Sequence, residues 1–237
     1  GPGHRYIETG APEEIGAADR LGVVDGGTTN TSLVAGTDRT YEQVVRTAAG
    51  IVDGPVLAQV LAEDADGMVR EGVGYQEWAD QVIVKLPATR PGFESLRRLR
   101  DRGVPAGITV VFSLEQAVLA AKNDAAFVAP YVGRSNDAGS DGVATARRIQ
   151  STFDAQGFGT EVLAASIRNT TQATALYEAG IDALTMSPAV LSAHIDHPET
   201  RAGVEGFADA RGCREPPLAE DGSPRSNDRT PTTAATN

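Results

Sequence analysis

A lysine inside an apolar run has the clearest chemistry in this chain. The segment reads Gln81-Val82-Ile83-Val84-Lys85-Leu86-Pro87. Burying an ammonium is costly and lowers its pKa. An amine freed of its proton near neutral pH attacks a carbonyl and forms a Schiff base. The same placement suits a structural lysine that snorkels or pairs with a carboxylate, and pattern alone leaves both readings open. Only two of the 21 basic residues are lysines, Lys85 and Lys122, so the position of each is informative.

Other polar residues stand at the ends of apolar runs. Glu8 closes the first, and Thr28, Thr29 and Asn30 follow the second. Gln59 and Thr109 lie in the third and fifth. Tyr131 and Arg134 close the sixth, and Ser166 and Arg168 the seventh. Each alone reads as a satisfied core or loop residue. Together, at the C-terminal ends of parallel strands, they would surround one site. Arg134, Ser166 and Arg168 suit a phosphate, which Arg holds through forked, charge-assisted hydrogen bonds. The alternative is a surface Arg paired with Asp137 or Glu161. Other features read as structural. His194 and His197 have no third metal ligand placed with them, Arg97, Arg98, Arg100 and Arg102 read as a solvated helix face, and Trp78 as packing.

These positions need elements to hold them. Eight short runs rich in Val and Ile are expected as strands: Tyr6 to Glu8, Val23 to Asp25, Val56 to Leu61, Val82 to Leu86, Ile108 to Phe112, Phe127 to Val132, Val162 to Ile167 and Ala183 to Met186. Near-continuous apolar runs mark strands buried on both faces, as in a parallel sheet. Leu114, Ala117, Val118 and Ala121 form one helical face. Ser113 with Gln116, and Asn169 with Gln172, read as capping boxes, and Ser187-Pro188 as a helix start. Gly22, Gly103, Gly157 and Gly180 each precede a strand, where glycine ends a helix in the left-handed conformation. The repeat of strand, loop, capped helix and glycine predicts an α/β fold, a (β/α)8 TIM barrel. A doubly wound sheet is the runner-up, without a G-x-G-x-x-G after the first strand. Further helices are expected from Pro188 to Ile195 and from Pro198 to Ala210. One domain is expected over residues 1–210, with a disordered polar tail over 211–237.

The net charge of -11 disfavours nucleic acid and anionic lipid as partners. The single cysteine, Cys213, fits a reducing cytoplasm. No apolar run approaches the length of a membrane helix, and no signal-peptide pattern opens the chain. The opening Gly1-Pro2-Gly3 without Met reads as a cleaved tag or a fragment.

Five stretches, in order and spacing, resemble the transaldolase family, and most of all its short branch that includes fructose-6-phosphate aldolase. They are Asp25-Gly26-Gly27-Thr28-Thr29-Asn30-Thr31-Ser32-Leu33, Val84-Lys85-Leu86-Pro87, Gly107-Ile108-Thr109-Val110-Val111-Phe112-Ser113, Ala129-Pro130-Tyr131-Val132-Gly133-Arg134 and Ala165-Ser166-Ile167-Arg168-Asn169. The resemblance runs from Ile7 to about Phe207. It implies a Schiff-base mechanism at Lys85 on a sugar phosphate such as fructose 6-phosphate, with no metal or other cofactor. It implies that Asn30 binds donor hydroxyls, that Gln59 and Thr109 hold a catalytic water, and that Arg134, Ser166 and Arg168 hold the phosphate. It also implies a homo-oligomer with Pro198 to Ala210 in its contacts. Gln59, Ala129 and Tyr131 side with the aldolase, which releases dihydroxyacetone, over transaldolase proper, which transfers it to an aldose phosphate. Glu8 stands where the family has Asp, Gly27 where it has Val or Ile, and Thr31 where it has Pro. These departures keep a non-catalytic sugar-phosphate-binding barrel as an alternative of another class.

Overall fold

The computed structural model of the chain describes residues 3–211. Its strands run β1 His4–Glu8, β2 Gly26–Thr29, β3 Val56–Gln59, β4 Val82–Pro87, β5 Ala106–Val111, β6 Phe127–Pro130, β7 Glu161–Ala164 and β8 Ala183–Met186. They are parallel and close into a barrel in sequence order, with β8 paired back to β1. The closed ring excludes the open doubly wound sheet. The helices are α1 Pro12–Asp19, α2 Tyr41–Ile51, α3 Ala65–Gln76, α4 Arg90–Arg100, α5 Leu114–Lys122, α6 Val132–Asp137, α7 Gly142–Gln156, α8 Thr170–Glu178, α9 Pro188–Ile195 and α10 Pro198–Arg211. The chain is a (β/α)8 barrel, with the short α6 added between β6 and α7.

Alternation along each strand divides the core in two. Val82, Val84 and Leu86 of β4 point outward into the layer that holds Leu96 and Leu99 of α4. Ile83 packs inward with Tyr6, Leu57, Phe127, Leu163 and Ala183, which fill the barrel below its mouth. A packed interior of this kind leaves only the C-terminal end open for ligands. On β5 the alternation slips. The β5–β6 register shifts between Ile108 and Val111, and Val110 takes a φ of 58°. Ile108 and Val111 therefore both face the outer layer. A β-branched residue in that conformation is strained, and such bulges gather beside active sites.

The glycine stops form as expected, with φ of 68°, 72°, 69° and 70° at Gly22, Gly103, Gly157 and Gly180. Ser113 and Asn169 cap α5 and α8 by accepting from the Gln116 and Gln172 amides. The reciprocal arms differ from a capping box. Gln116 and Gln172 reach one residue further back, to the amides of Phe112 and Arg168. The complete box is at α2, between Thr40 and Gln43.

The second strand is not Val23 to Asp25. It is Gly26–Thr29, and Val23 is 46% exposed. A Cβ on Gly26 would lie 2.3 Å from the Pro55 carbonyl oxygen and 2.9 Å from the Tyr6 ring. Close packing selects glycine here, so the strand carries no apolar bulk to reveal it.

Trp78 packs against Tyr41 and Tyr75. Arg97, Arg98 and Arg100 form exposed ion pairs with Asp101, Asp66 and Asp124, as a solvated face does. His194 lies between the Val190 carbonyl and the Tyr177 hydroxyl. Residues up to His194 form one compact unit, and a second begins at Ile195. Arg211 still belongs to α10, and the expected disorder otherwise falls on residues 212–237, outside those described. Among the described residues no helix is long and apolar enough to cross a membrane.

Candidate active site

Lys85 points into the barrel near its mouth and is only 4% exposed. Its Nζ donates to the Thr29 carbonyl at 3.3 Å. Burial pushes the amine down to about 8, and the nearby Glu8 carboxylate partly opposes that fall. An amine in that range has a substantial neutral fraction near physiological pH, where an ordinary lysine has almost none.

Around Lys85 the strand ends enclose a cavity of about 270 Å³. Glu8 enters it from β1 and accepts from Asn30 Nδ2 at 3.4 Å. The Asn30 oxygen accepts from the Ser32 amide and hydroxyl, which orients the side chain with its nitrogen toward Glu8. Thr28 and Thr185 share a 2.6 Å hydrogen bond across the floor between β2 and β8. On the far wall Thr109 donates to the Tyr131 hydroxyl at 3.4 Å. The Tyr131 ring lies between the edge of Phe112, 5.9 Å away, and the Arg134 guanidinium, 5.0 Å from its centre.

The rim nearest β6 and β7 is basic. Arg134 lines the cavity and has no carboxylate partner among the described residues. Ser166 takes a φ of 57°, and its hydroxyl lies 3.5 Å from Arg168 Nε. Arg168 also pairs with Asp137 at 2.9 Å. Arg168 thus borders the cavity and also has the surface carboxylate partner of the alternative reading. Gly133 makes the approach of α6 possible, because a Cβ there would lie 2.4 Å from the Ser166 carbonyl.

Two expected site residues stand apart from the cavity lining. Thr29 turns its hydroxyl outward, onto Tyr41 of α2 and the Leu57 carbonyl, and only its own carbonyl meets Lys85. The cause is strand parity, since Thr28 faces in and its neighbour must face out. Gln59 has the parity of Leu57 and is half-buried at the end of β3, but it is not among the residues lining the cavity. Sequence reasoning missed Thr185 and Ser187, which do line it. Alternation from Ala183 along β8 was the signal. Among the described residues no group of three His, Cys, Asp or Glu side chains gathers as a metal set.

A polar mouth around a buried amine, on a barrel whose interior is otherwise packed, is the arrangement of a (β/α)8-barrel enzyme. The family model described as transaldolase/fructose-6-phosphate aldolase matches residues 6–214. A probable transaldolase of Hydrogenobaculum sp. (strain Y04AAS1) is 40% identical over 85% of this chain and 93% of its own length. Another, of Hyphomonas neptunium, is 40% identical over 87% of this chain and 96% of its own. Among solved structures, a mandelate oxidase mutant with an FMN adduct superposes with a TM-score of 0.55 at 14% identity. That match covers 79% of this chain and 65% of the oxidase, and it shows the barrel fold alone. The chain belongs to the transaldolase/fructose-6-phosphate aldolase family and is an enzyme of aldolase or transaldolase type.

Proposed function

We propose that the protein is a Schiff-base aldolase that cleaves and forms fructose 6-phosphate. The observation that carries this reading is Lys85, buried at the cavity floor with its amine held down to about 8. The neutral amine adds to C2 of the ketose and loses water to give a protonated imine. Breaking the C3–C4 bond sends its electron pair into that imine and releases glyceraldehyde 3-phosphate. Glu8 is the cavity carboxylate that can take the proton leaving the C4 hydroxyl. The remaining three-carbon enamine gains a proton at C3, and water then frees dihydroxyacetone and Lys85. Thr28 and Asn30 are suited to the donor hydroxyls, and Arg134, Ser166 and Arg168 to the phosphate. By the same reading Gln59 acts with Thr109 through a bound water. The family resemblance adds a cytoplasmic homo-oligomer to this reading.

Reductive trapping tests the lysine's state. With dihydroxyacetone and borohydride, the adduct should form faster as pH rises through about 8 and then level off. A rise only near an ordinary lysine pKa would oppose the reading.

Transaldolase proper is the second reading. The names of the 40% identical relatives favour it. Tyr131→Phe separates the two. If the phenol delivers the proton that frees dihydroxyacetone, its loss should slow free dihydroxyacetone formation by roughly 10²-fold. Transfer to an aldose phosphate acceptor should be largely retained. An unchanged rate of dihydroxyacetone release would favour transaldolase.

A further inference from the structure

Among the described residues the Lys85 amine has one hydrogen-bond partner, the Thr29 carbonyl. The side chain of the same threonine is held on the other side of the sheet. The Thr29 hydroxyl donates to the Leu57 carbonyl at 2.8 Å, so its proton is committed. The Tyr41 hydroxyl, 2.9 Å from Thr29 Oγ1, must therefore donate to it. Tyr41 in turn accepts the Gln59 amide at 2.7 Å. A directed chain runs from Gln59 N–H through Tyr41 and Thr29 to the Leu57 carbonyl, and each bond polarises the next. The chain joins β2 to β3 where Thr29 pairs with Ala58, one residue before Gln59 pairs with Lys85. The ring of Tyr41 is held independently, edge-on to Tyr75 and Trp78 at 5.9 Å each.

We infer that Tyr41 is a positioning residue for the Schiff-base lysine. Its hydroxyl fixes the Thr29 carbonyl, and that carbonyl takes one amine proton so that the nitrogen lone pair projects into the cavity. The inference rests on the proposed Schiff-base role of Lys85. Tyr41 does not touch the cavity, and its position on α2 hides it from any reading of strand ends.

A carbonyl acceptor favours the charged amine. Loosening it should move the Lys85 titration to lower pH while leaving the neutral amine poorly aimed. The ionisable groups sharing the cavity with Lys85 are Glu8, Tyr131, Arg134 and Arg168, and Tyr75 and Glu71 face Tyr41. Of these only Tyr75 feels Tyr41 directly, and it lies outside the cavity that holds Lys85.

The test is the pH profile of borohydride trapping by dihydroxyacetone in wild type, Tyr41→Phe and Val45→Ala. Val45 lies fully buried on the same helix, so its truncation loosens α2 without touching the hydrogen-bond chain. Tyr41→Phe is expected to lower the plateau trapping rate about tenfold and shift its acid limb to lower pH. Val45→Ala is expected to leave both as in wild type despite a lower Tm. A wild-type profile in Tyr41→Phe, or equal changes in Val45→Ala, would overturn the inference. If wild type itself gives no Lys85 adduct, the Schiff-base reading fails first, which separates the two failures.

Discussion

Lys85→Met is expected to abolish turnover and yet stabilise the protein. The loss of activity should be roughly 10⁴-fold or more, because the covalent route disappears with its nucleophile. The stability gain follows from linkage. Burial lowers the Lys85 pKa from 10.5 to about 8. Above 10.5 the amine is neutral folded and unfolded, and the shift contributes nothing. As pH falls from 10.5 to 8 the unfolded state binds the proton first, so the folded state is progressively disfavoured. Below 8 the full penalty applies, about 3 kcal/mol at roughly 1.4 kcal/mol per pKa unit. Methionine has similar bulk and no charge. It leaves the Thr29 carbonyl without the amine, at a cost of about 1 kcal/mol. The net gain at pH 7 should be about 2 kcal/mol, or about 4–8 °C in Tm, and should give way to a loss of about 1 kcal/mol above pH 10.5, where only the missing hydrogen bond remains. Thermal unfolding at both pH values, beside a turnover assay, checks it. A variant less stable at pH 7 would mean that Lys85 is a paired structural ammonium, the alternative that its sequence context left open.

Gly107→Ala should be a severely damaging single-methyl change beside the site. Gly107 pairs with Lys85 across β4 and β5. An added Cβ would lie 2.4 Å from the Phe127 ring and 2.6 Å from the Phe127 carbonyl oxygen. The ring is buried in the barrel interior and the carbonyl belongs to the sheet, so neither can yield cheaply. Overpacking against backbone should cost about 3 kcal/mol or more, and strand displacement should carry Lys85 with it. Gly50→Ala is the matched control. Gly50 lies within α2 with nothing within 4 Å of a built Cβ. That change should stabilise by about 0.5–1 kcal/mol through helix propensity. Urea unfolding of both variants measures the contrast. A loss below about 1 kcal/mol in Gly107→Ala would refute the packing argument.

Much of this molecule could be read from local signals. Lys85 stood out because one charge interrupted an apolar strand, and the four stopping glycines because each preceded a strand. β2 escaped because its sequence signal is inverted. Gly26 is selected by the Tyr6 ring and the Pro55 carbonyl, both distant in sequence, and Thr29 by a hydrogen bond to α2. Ending that strand at Asp25 also removed the alternation that separates Thr28, inside, from Thr29, outside. The bulge at Val110 left no local mark, since Ile, Val and Phe continue through it. Thr185 was within reach, two residues beyond an inward Ala183. Tyr41 was not, because it acts from a helix through two strands.

The most direct test of the central claim is borohydride reduction of the protein with fructose 6-phosphate or dihydroxyacetone, followed by intact-mass and peptide mass spectrometry. The expected result is a single reduced three-carbon adduct on the peptide containing Lys85, with Lys122 unmodified. A folded protein that gains no adduct, or that carries it elsewhere than Lys85, would contradict the Schiff-base assignment.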